Sequence, residues 1–191
     1  MTRYGMLIDT TNCIGCFACR TACQRQNGQD PEVDYIRYEE RETGTLPFVH
    51  HETVPLQCMH CEDAPCVHVC PTGASYIGEG GVVRVDESKC IGCQYCLYAC
   101  PYGVRTFSEA DGVARKCTLC QHLTANGSAE PACVHNCPGG ARFYGDLDDP
   151  NSSVSRELAK YGDDCIHSLV APEGEEPLTR YILSPSVASW K

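Results

Sequence analysis

Cys90-Ile91-Gly92-Cys93-Gln94-Tyr95-Cys96-Leu97-Tyr98-Ala99-Cys100-Pro101 decides the fold. Its cysteines follow C-x2-C-x2-C-x3-C, and the run is preceded by Val83-Arg84-Val85-Asp86. Met6-Leu7-Ile8-Asp9 followed by Cys13-Ile14-Gly15-Cys16, Cys19 and Ala22-Cys23 aligns on it without a gap. A second repeat joins Cys66-Val67-His68-Val69-Cys70-Pro71-Thr72-Gly73-Ala74 to Cys133-Val134-His135-Asn136-Cys137-Pro138-Gly139-Gly140-Ala141. Self-similarity of this kind marks a duplicated unit, and here both copies keep their cysteines.

Working outward, sixteen of the 17 cysteines fall into four groups: Cys13, Cys16, Cys19, Cys23; Cys58, Cys61, Cys66, Cys70; Cys90, Cys93, Cys96, Cys100; and Cys117, Cys120, Cys133, Cys137. The spacing of groups one and three is that of bacterial two-cluster ferredoxins, in which three cysteines hold one [4Fe–4S] cluster and the fourth holds its neighbour. Three thiolates three residues apart curl around one corner of a cube, and backbone N–H groups of the same loop point at the sulfides as a nest. Gly15 and Gly92 allow close backbone approach. Groups two and four, C-x2-C-x4-C-x3-C and C-x2-C-x12-C-x3-C, are looser, with inserts at 62–65 and 121–132 expected to bulge as loops.

Competing uses of the cysteines fare worse. A disulfide scaffold fits neither the bunching, nor the odd count, nor an N-terminus, Met-Thr-Arg-Tyr-Gly-Met, without an apolar signal core. Structural zinc uses two C-x2-4-C pairs separated by a longer loop, whereas the triple C-x2-C-x2-C suits a cubane. No run reaches the 18 or more apolar residues of a membrane span. The net charge of −10 argues against nucleic acid. Four clusters would add roughly −8 more; Arg20, Lys89, Arg115 and Lys116 are near enough in sequence to offset some of it, though each read singly is a solvated surface charge.

Strand signals set the pairing of groups. Residues 75–77 and 82–85 around Gly78-Glu79-Gly80-Gly81 read as a hairpin between groups two and three, and residues 104–107 and 113–114 around Ala110-Asp111-Gly112 as another. Residues 141–144 read as a strand pairing with 6–9. Groups two and three therefore make one two-cluster unit, and groups one and four the other. The expected ligand sets are cluster A, Cys13, Cys16, Cys19 and Cys137; cluster B, Cys23, Cys117, Cys120 and Cys133; cluster C, Cys58, Cys61, Cys66 and Cys100; and cluster D, Cys70, Cys90, Cys93 and Cys96. Pro71, Pro101 and Pro138 follow the last cysteine of their groups and shape the turn. Gln24 follows Cys23 instead, so a longer helix is expected there.

The fold class is α+β: two bacterial-type 2[4Fe–4S] ferredoxin-like domains from an internal duplication. One comprises residues 1–23 plus 111–145, the other 58–110. Residues 24–57 are a hairpin insertion, with Tyr35-Ile36-Arg37-Tyr38 and Phe48-Val49-His50 as its strands. Residues 146–191 are a C-terminal extension with a helix at 154–161, a charged loop at 173–176 and a last strand at 180–183. Cys165, the leftover thiol, is expected to be buried and inert. His60, His68 and His135 are expected to hydrogen-bond near clusters, and Tyr95, Tyr98 and Tyr102 to pack around them. No nucleophile–base pair, phosphate loop or dinucleotide fingerprint is present, so the chain is not expected to catalyse a reaction alone.

The four groups in this order, the Cys58-Met59-His60-Cys61 start of group two and the Gly145-Asp146-Leu147-Asp148-Asp149-Pro150 segment resemble the β subunits of the dimethyl-sulfoxide-reductase family, in particular its polysulfide, thiosulfate and tetrathionate reductase branch. The resemblance covers residues 3 to about 155. It implies the same pairing of groups, and four [4Fe–4S] clusters carrying electrons to or from a large molybdopterin (Mo or W) catalytic subunit. It also implies cluster A nearest that subunit, and a membrane quinone-linked subunit or soluble donor at the other end. All four cysteines of group three are present, so no [3Fe–4S] cluster is expected. With no signal core read at the N-terminus, the expected location is cytoplasmic, or exported or membrane-associated only with a signal-bearing partner. A hydrogenase or formate dehydrogenase subunit and a freestanding polyferredoxin are the alternative readings.

Overall fold

The computed structural model describes residues 2–125, 129–169, 176–185 and 187–189. In chain order the elements are β1 (Tyr4–Asp9), α1 (Ala18–Asn27), β2 (Arg37–Thr45), β3 (Phe48–Leu56), α2 (Pro65–His68), β4 (Ser75–Ile77), β5 (Val83–Val85), α3 (Tyr95–Tyr98), β6 (Thr106–Ser108), β7 (Val113–Arg115), α4 (Gln121–Thr124), α5 (Ala132–His135), β8 (Arg142–Asp146), α6 (Ser153–Leu158), β9 (Ile166–His167) and β10 (Thr179–Ile182). Three of the pairings are simple antiparallel hairpins: β2–β3, β4–β5 and β6–β7.

The largest sheet has the order β8-β1-β10-β9. Strand β1 pairs antiparallel with β8, placing Met6 opposite Tyr144 and Ile8 opposite Arg142. On its other edge it runs parallel to β10, with Ile8 opposite Tyr181. Flanked on both edges and covered on both faces, β1 is apolar at consecutive positions. Side chains alternate between faces along a strand. Met6 and Ile8 accordingly join the cysteine-rich core, while Leu7 joins Val154, Ile182 and the partly buried Phe143, Leu147 and Leu158 on the other side. Helix α6 begins at a Ser152 cap, whose Oγ accepts from the Ser155 N–H at 3.1 Å; such a cap is worth about 1 kcal/mol.

The helices that follow the cysteine loops pack in two pairs, α1 with α5 and α2 with α3. Group one thus lies against group four, and group two against group three. Helix α1 runs on to Asn27 and stops at Gly28, whose left-handed φ of 56° lets its N–H reach the Gln24 carbonyl. The 24–57 segment forms the expected hairpin, longer than the sequence suggests: its register runs from Arg37 opposite Leu56 to Thr45 opposite Phe48.

The structure differs from expectation in two places of the fold. The 121–132 insert is not wholly a loop, because it starts as α4. The C-terminal extension is no appendage: its β10 fills the open edge of β1 and supplies Tyr181 to the core. Of the 173–176 loop, only Glu176 lies within the described residues, and its carbonyl accepts from the Glu62 N–H at 3.0 Å.

A candidate iron–sulfur relay

The four cysteine loops share one backbone device. The residue before the second cysteine is left-handed in every group: Gly15 at φ 63°, His60 at 48°, Gly92 at 70° and Leu119 at 54°. Positive φ turns successive N–H groups to one side, as a nest requires. Glycine adopts it freely; for His60 and Leu119 it costs about 1–2 kcal/mol, and both side chains are almost fully buried in return. Absence of a side chain is therefore not what the position demands.

One pocket is lined by Cys13, Cys16, Cys19 and Cys137, together with Ile14, Tyr38 and Arg142. A second is lined by Cys70, Cys90, Cys93 and Cys96, with Ile91 and Arg105. The other thiols lie deeper. Cys23, Cys117, Cys120 and Cys133 are all buried, and each of Cys120 and Cys133 is close enough to Cys23 to push its thiol up. Cys58, Cys61 and Cys66 are likewise buried, and both Cys58 and Cys100 act on Cys66. Cys16 and Cys93, one in each of these two pockets, are exposed.

Donors converge on the sulfurs. The Ala141 N–H donates to Cys137 Sγ at 3.3 Å, the Ser75 N–H to Cys70 Sγ at 3.3 Å and the Leu119 N–H to Cys117 Sγ at 3.4 Å. Side chains add Gln29 Nε2 on Cys23 Sγ at 3.4 Å and the Tyr38 hydroxyl 3.1 Å from Cys19 Sγ. Burial pushes Cys23 up to about 12 and Cys117 and Cys133 upward as well. Packed thiols of this kind carry charge only against a cationic partner. At Cys58 burial also acts upward, but His60, Lys116 and Arg105 outweigh it and hold the thiol well below its usual range. Among the described residues no three His, Cys, Asp or Glu side chains gather tightly enough for a single metal ion. Thiols spread around a pocket, met by N–H donors, fit a multi-iron cluster and not a lone zinc.

Comparison with known proteins agrees. Residues 49–147 match the family described as a 4Fe-4S dicluster domain, and residues 12–75 match a second family of the same description. The chain belongs to the iron–sulfur electron-transfer subunits of the dimethyl-sulfoxide-reductase family. It is 41% identical to a subunit of the sulfite dehydrogenase of Allochromatium vinosum over 95% of this chain and 83% of that one. It is 44% identical to the thiosulfate reductase electron transfer subunit PhsB of Salmonella typhi over 77% of this chain and 78% of that one. It is 39% identical to a subunit of the tetrathionate reductase of Salmonella typhimurium over 94% and 72%. This iron–sulfur protein therefore relays electrons through four [4Fe–4S] clusters and does not itself catalyse the reaction. No described helix is long and apolar enough to cross a membrane.

Several side chains stand elsewhere than the sequence suggests. Tyr102 is buried as expected, but Tyr95 and Tyr98 face outward, Tyr98 at 86% exposure. Cys165 is exposed, in a short turn at Asp163–Cys165. His68 faces Asp63 at the surface, and His135 is exposed; of the three motif histidines only His60 is buried beside a cysteine. Its Nδ1 accepts from the Val83 N–H at 3.1 Å, and burial lowers its pKa. Arg20 pairs with Asp34, Lys89 with Asp86, and Arg115 with Glu87 and Asp111, as surface charges do. Lys116 does not: it is 2% exposed. Arg105 and Arg142, buried in the cysteine array, are residues that sequence reading passes over. The available signal is positional, since each stands five residues after the last cysteine of its group.

Proposed function

We propose that the sixteen cysteines ligate four cubanes as two crossed pairs. Cluster A takes Cys13, Cys16, Cys19 and Cys137; cluster B takes Cys23, Cys117, Cys120 and Cys133; cluster C takes Cys58, Cys61, Cys66 and Cys100; cluster D takes Cys70, Cys90, Cys93 and Cys96. The carrying observation is that Cys137 lines the group-one pocket and Cys70 the group-three pocket. In each case a fourth cysteine sits with the loop of the other group, the exchange that defines a two-cluster ferredoxin domain. The domains are then residues 1–23 with 111–145, and 58–110, as products of duplication, with 24–57 as a hairpin insertion and 146–191 as a C-terminal extension.

The order along the relay is A, B, C, D. Cys117 feels both Cys23 of its own set and Cys58 of the next, which supports a B–C junction. Exposed Cys16 and Cys93 mark A and D as the ends where electrons enter and leave. Cluster A faces the large molybdopterin (Mo or W) catalytic subunit. The β2–β3 hairpin supports this end: His51, Glu52 and Thr53 share a pocket with Cys13 and Gly15, and the hairpin tip carries Leu46 at 89% and Phe48 at 79% exposure. A large partner would cover that apolar tip. Cluster D exchanges electrons with a quinone-linked membrane subunit or a soluble donor. The complex works in the cytoplasm, or outside it when a signal-bearing partner carries the chain across.

The test is anaerobic affinity purification through a tag on this chain, with metal analysis. About sixteen iron atoms per chain plus molybdenum or tungsten is the expected result. Iron without either metal would favour a hydrogenase partner or a free carrier, and zinc in place of iron would overturn the reading.

A further inference from the structure

Arg142, Lys116 and Arg105 are buried, and among the described residues none forms an ion pair with a carboxylate. Burying an uncompensated charge costs several kcal/mol. Their hydrogen bonds do not offset that cost. Arg142 Nη2 reaches Gln57 Oε1, and Arg105 Nη2 reaches Ser75 Oγ at 2.7 Å, while Nε and Nη1 of both guanidinium groups have no partner. Lys116 Nζ donates to the Cys117 carbonyl at 2.6 Å.

Their positions are regular. Arg142 lines the pocket of Cys13, Cys16, Cys19 and Cys137, and its charge also acts on Cys133 and Cys117. Lys116 lies where it acts on both Cys117 and Cys58. Arg105 lines the pocket of Cys70, Cys90, Cys93 and Cys96, and its charge also acts on Cys66 and Cys58. Each cation is thus buried where its charge acts on thiols of two ligand sets, and the three together cover the junctions A–B, B–C and C–D.

We propose that Arg142, Lys116 and Arg105 are junction cations, one fixed between each neighbouring pair of clusters, that hold up the potentials of both clusters they separate. The inference rests on the ligand sets and order given above. A reduced cluster carries one more negative charge than an oxidised one, and a cation nearby favours the reduced form. Placed between two clusters it favours the electron on either side, so the hop crosses the junction without losing that stabilisation. One electron moves, one cluster is oxidised and its neighbour reduced, and no bond or proton is exchanged. Among the described residues the unpartnered guanidinium N–H groups meet no carboxylate, and a cluster held by the neighbouring cysteines would supply the counter-charge.

The experiment is an EPR-monitored redox titration of the iron-replete complex. It compares wild type with Arg142→Gln, Lys116→Met and Arg105→Gln, and with the charge-keeping Arg142→Lys, Lys116→Arg and Arg105→Lys. Arg142→Gln should lower the midpoints of A and B, Lys116→Met those of B and C, and Arg105→Gln those of C and D. Each drop should be at least a tenfold change in the oxidised-to-reduced ratio, about 59 mV for one electron. The charge-keeping variants should stay near wild type. Four wild-type clusters whose midpoints ignore the neutral variants, or move together in all of them, overturn the proposal. Where a neutral variant loses iron, its charge-keeping partner decides: iron-replete with wild-type midpoints supports it, and loss of iron there too makes the side chain merely structural and overturns it. A wild-type chain without four cubane signals fails the underlying ligand reading instead.

Discussion

Arg105 Nη2 donates to Ser75 Oγ at 2.7 Å, and both residues stand five positions after the last cysteine of their group, Cys100 and Cys70. The same offset from the last cysteine in two paired groups therefore meets across the interface between them. Arg142 holds the same position after Cys137, but its counterpart after Cys23 is Gly28, so its hydrogen bond goes to Gln57. Replacing Ser75 by Ala removes the oxygen acceptor of a buried guanidinium. The expected loss is about 1–3 kcal/mol, read as a lower anaerobic thermal midpoint with iron content unchanged.

The crossed ligand sets predict which cluster a given cysteine controls. Cys137→Ala should disturb cluster A, although Cys137 belongs by sequence to group four, and Cys23→Ala should disturb cluster B. EPR of the dithionite-reduced complex separates the cases; loss of cluster B alone in Cys137→Ala would rule out the crossing.

Tyr38 reaches 3.1 Å from Cys19 Sγ. Burial and then Cys19 push the phenol upward, so it keeps its proton and acts as donor. A donor to a cluster thiolate raises the cluster potential. Tyr38→Phe should lower the midpoint of cluster A, leave C and D unmoved and preserve the iron content in a redox titration.

Gly15 and Gly92 are equivalent in the repeat but not in space. A Cβ on Gly92 would meet the Gly112 carbonyl oxygen at 2.7 Å, whereas one on Gly15 would meet the Thr53 hydroxyl at 3.1 Å. Both substitutions to Ala incur the left-handed cost of about 1–2 kcal/mol. A backbone oxygen yields less than a side chain, so Gly92→Ala should be the more damaging and should deplete cluster D. Similar losses of iron and stability in the two variants would contradict this.

Much of this protein is legible in one dimension. The spacing of Cys13 to Cys23 and of Cys90 to Cys100 is local geometry: loops of two or three residues between thiolates can wrap a cubane corner whatever surrounds them. The hairpins around Gly78–Gly81 and Gly112 and the strand after Cys137 were equally readable, because alternation and turn residues act over a few positions. Even α1 running past Cys23 followed from Gln24 standing where the other groups carry proline.

What the tertiary structure alone decided is set by distant neighbours. The parallel seat of β10 beside β1 joins residues more than 170 positions apart, and no local signal selects that edge. Tyr95 and Tyr98 share a motif with buried cysteines yet face outward, because the one-turn helix α3 turns only Cys96 fully inward. Lys116 sits one residue before Cys117, as Lys89 does before Cys90, but only Lys116 is enclosed. Whether a cation is solvated or buried depends on what packs over it, and here the second ferredoxin-like half brings Cys58 to it. The number and spacing of the cysteines carry the count of clusters, because both are local properties of the chain; the enclosure of Lys116, Arg105 and Arg142 comes from packing between distant segments.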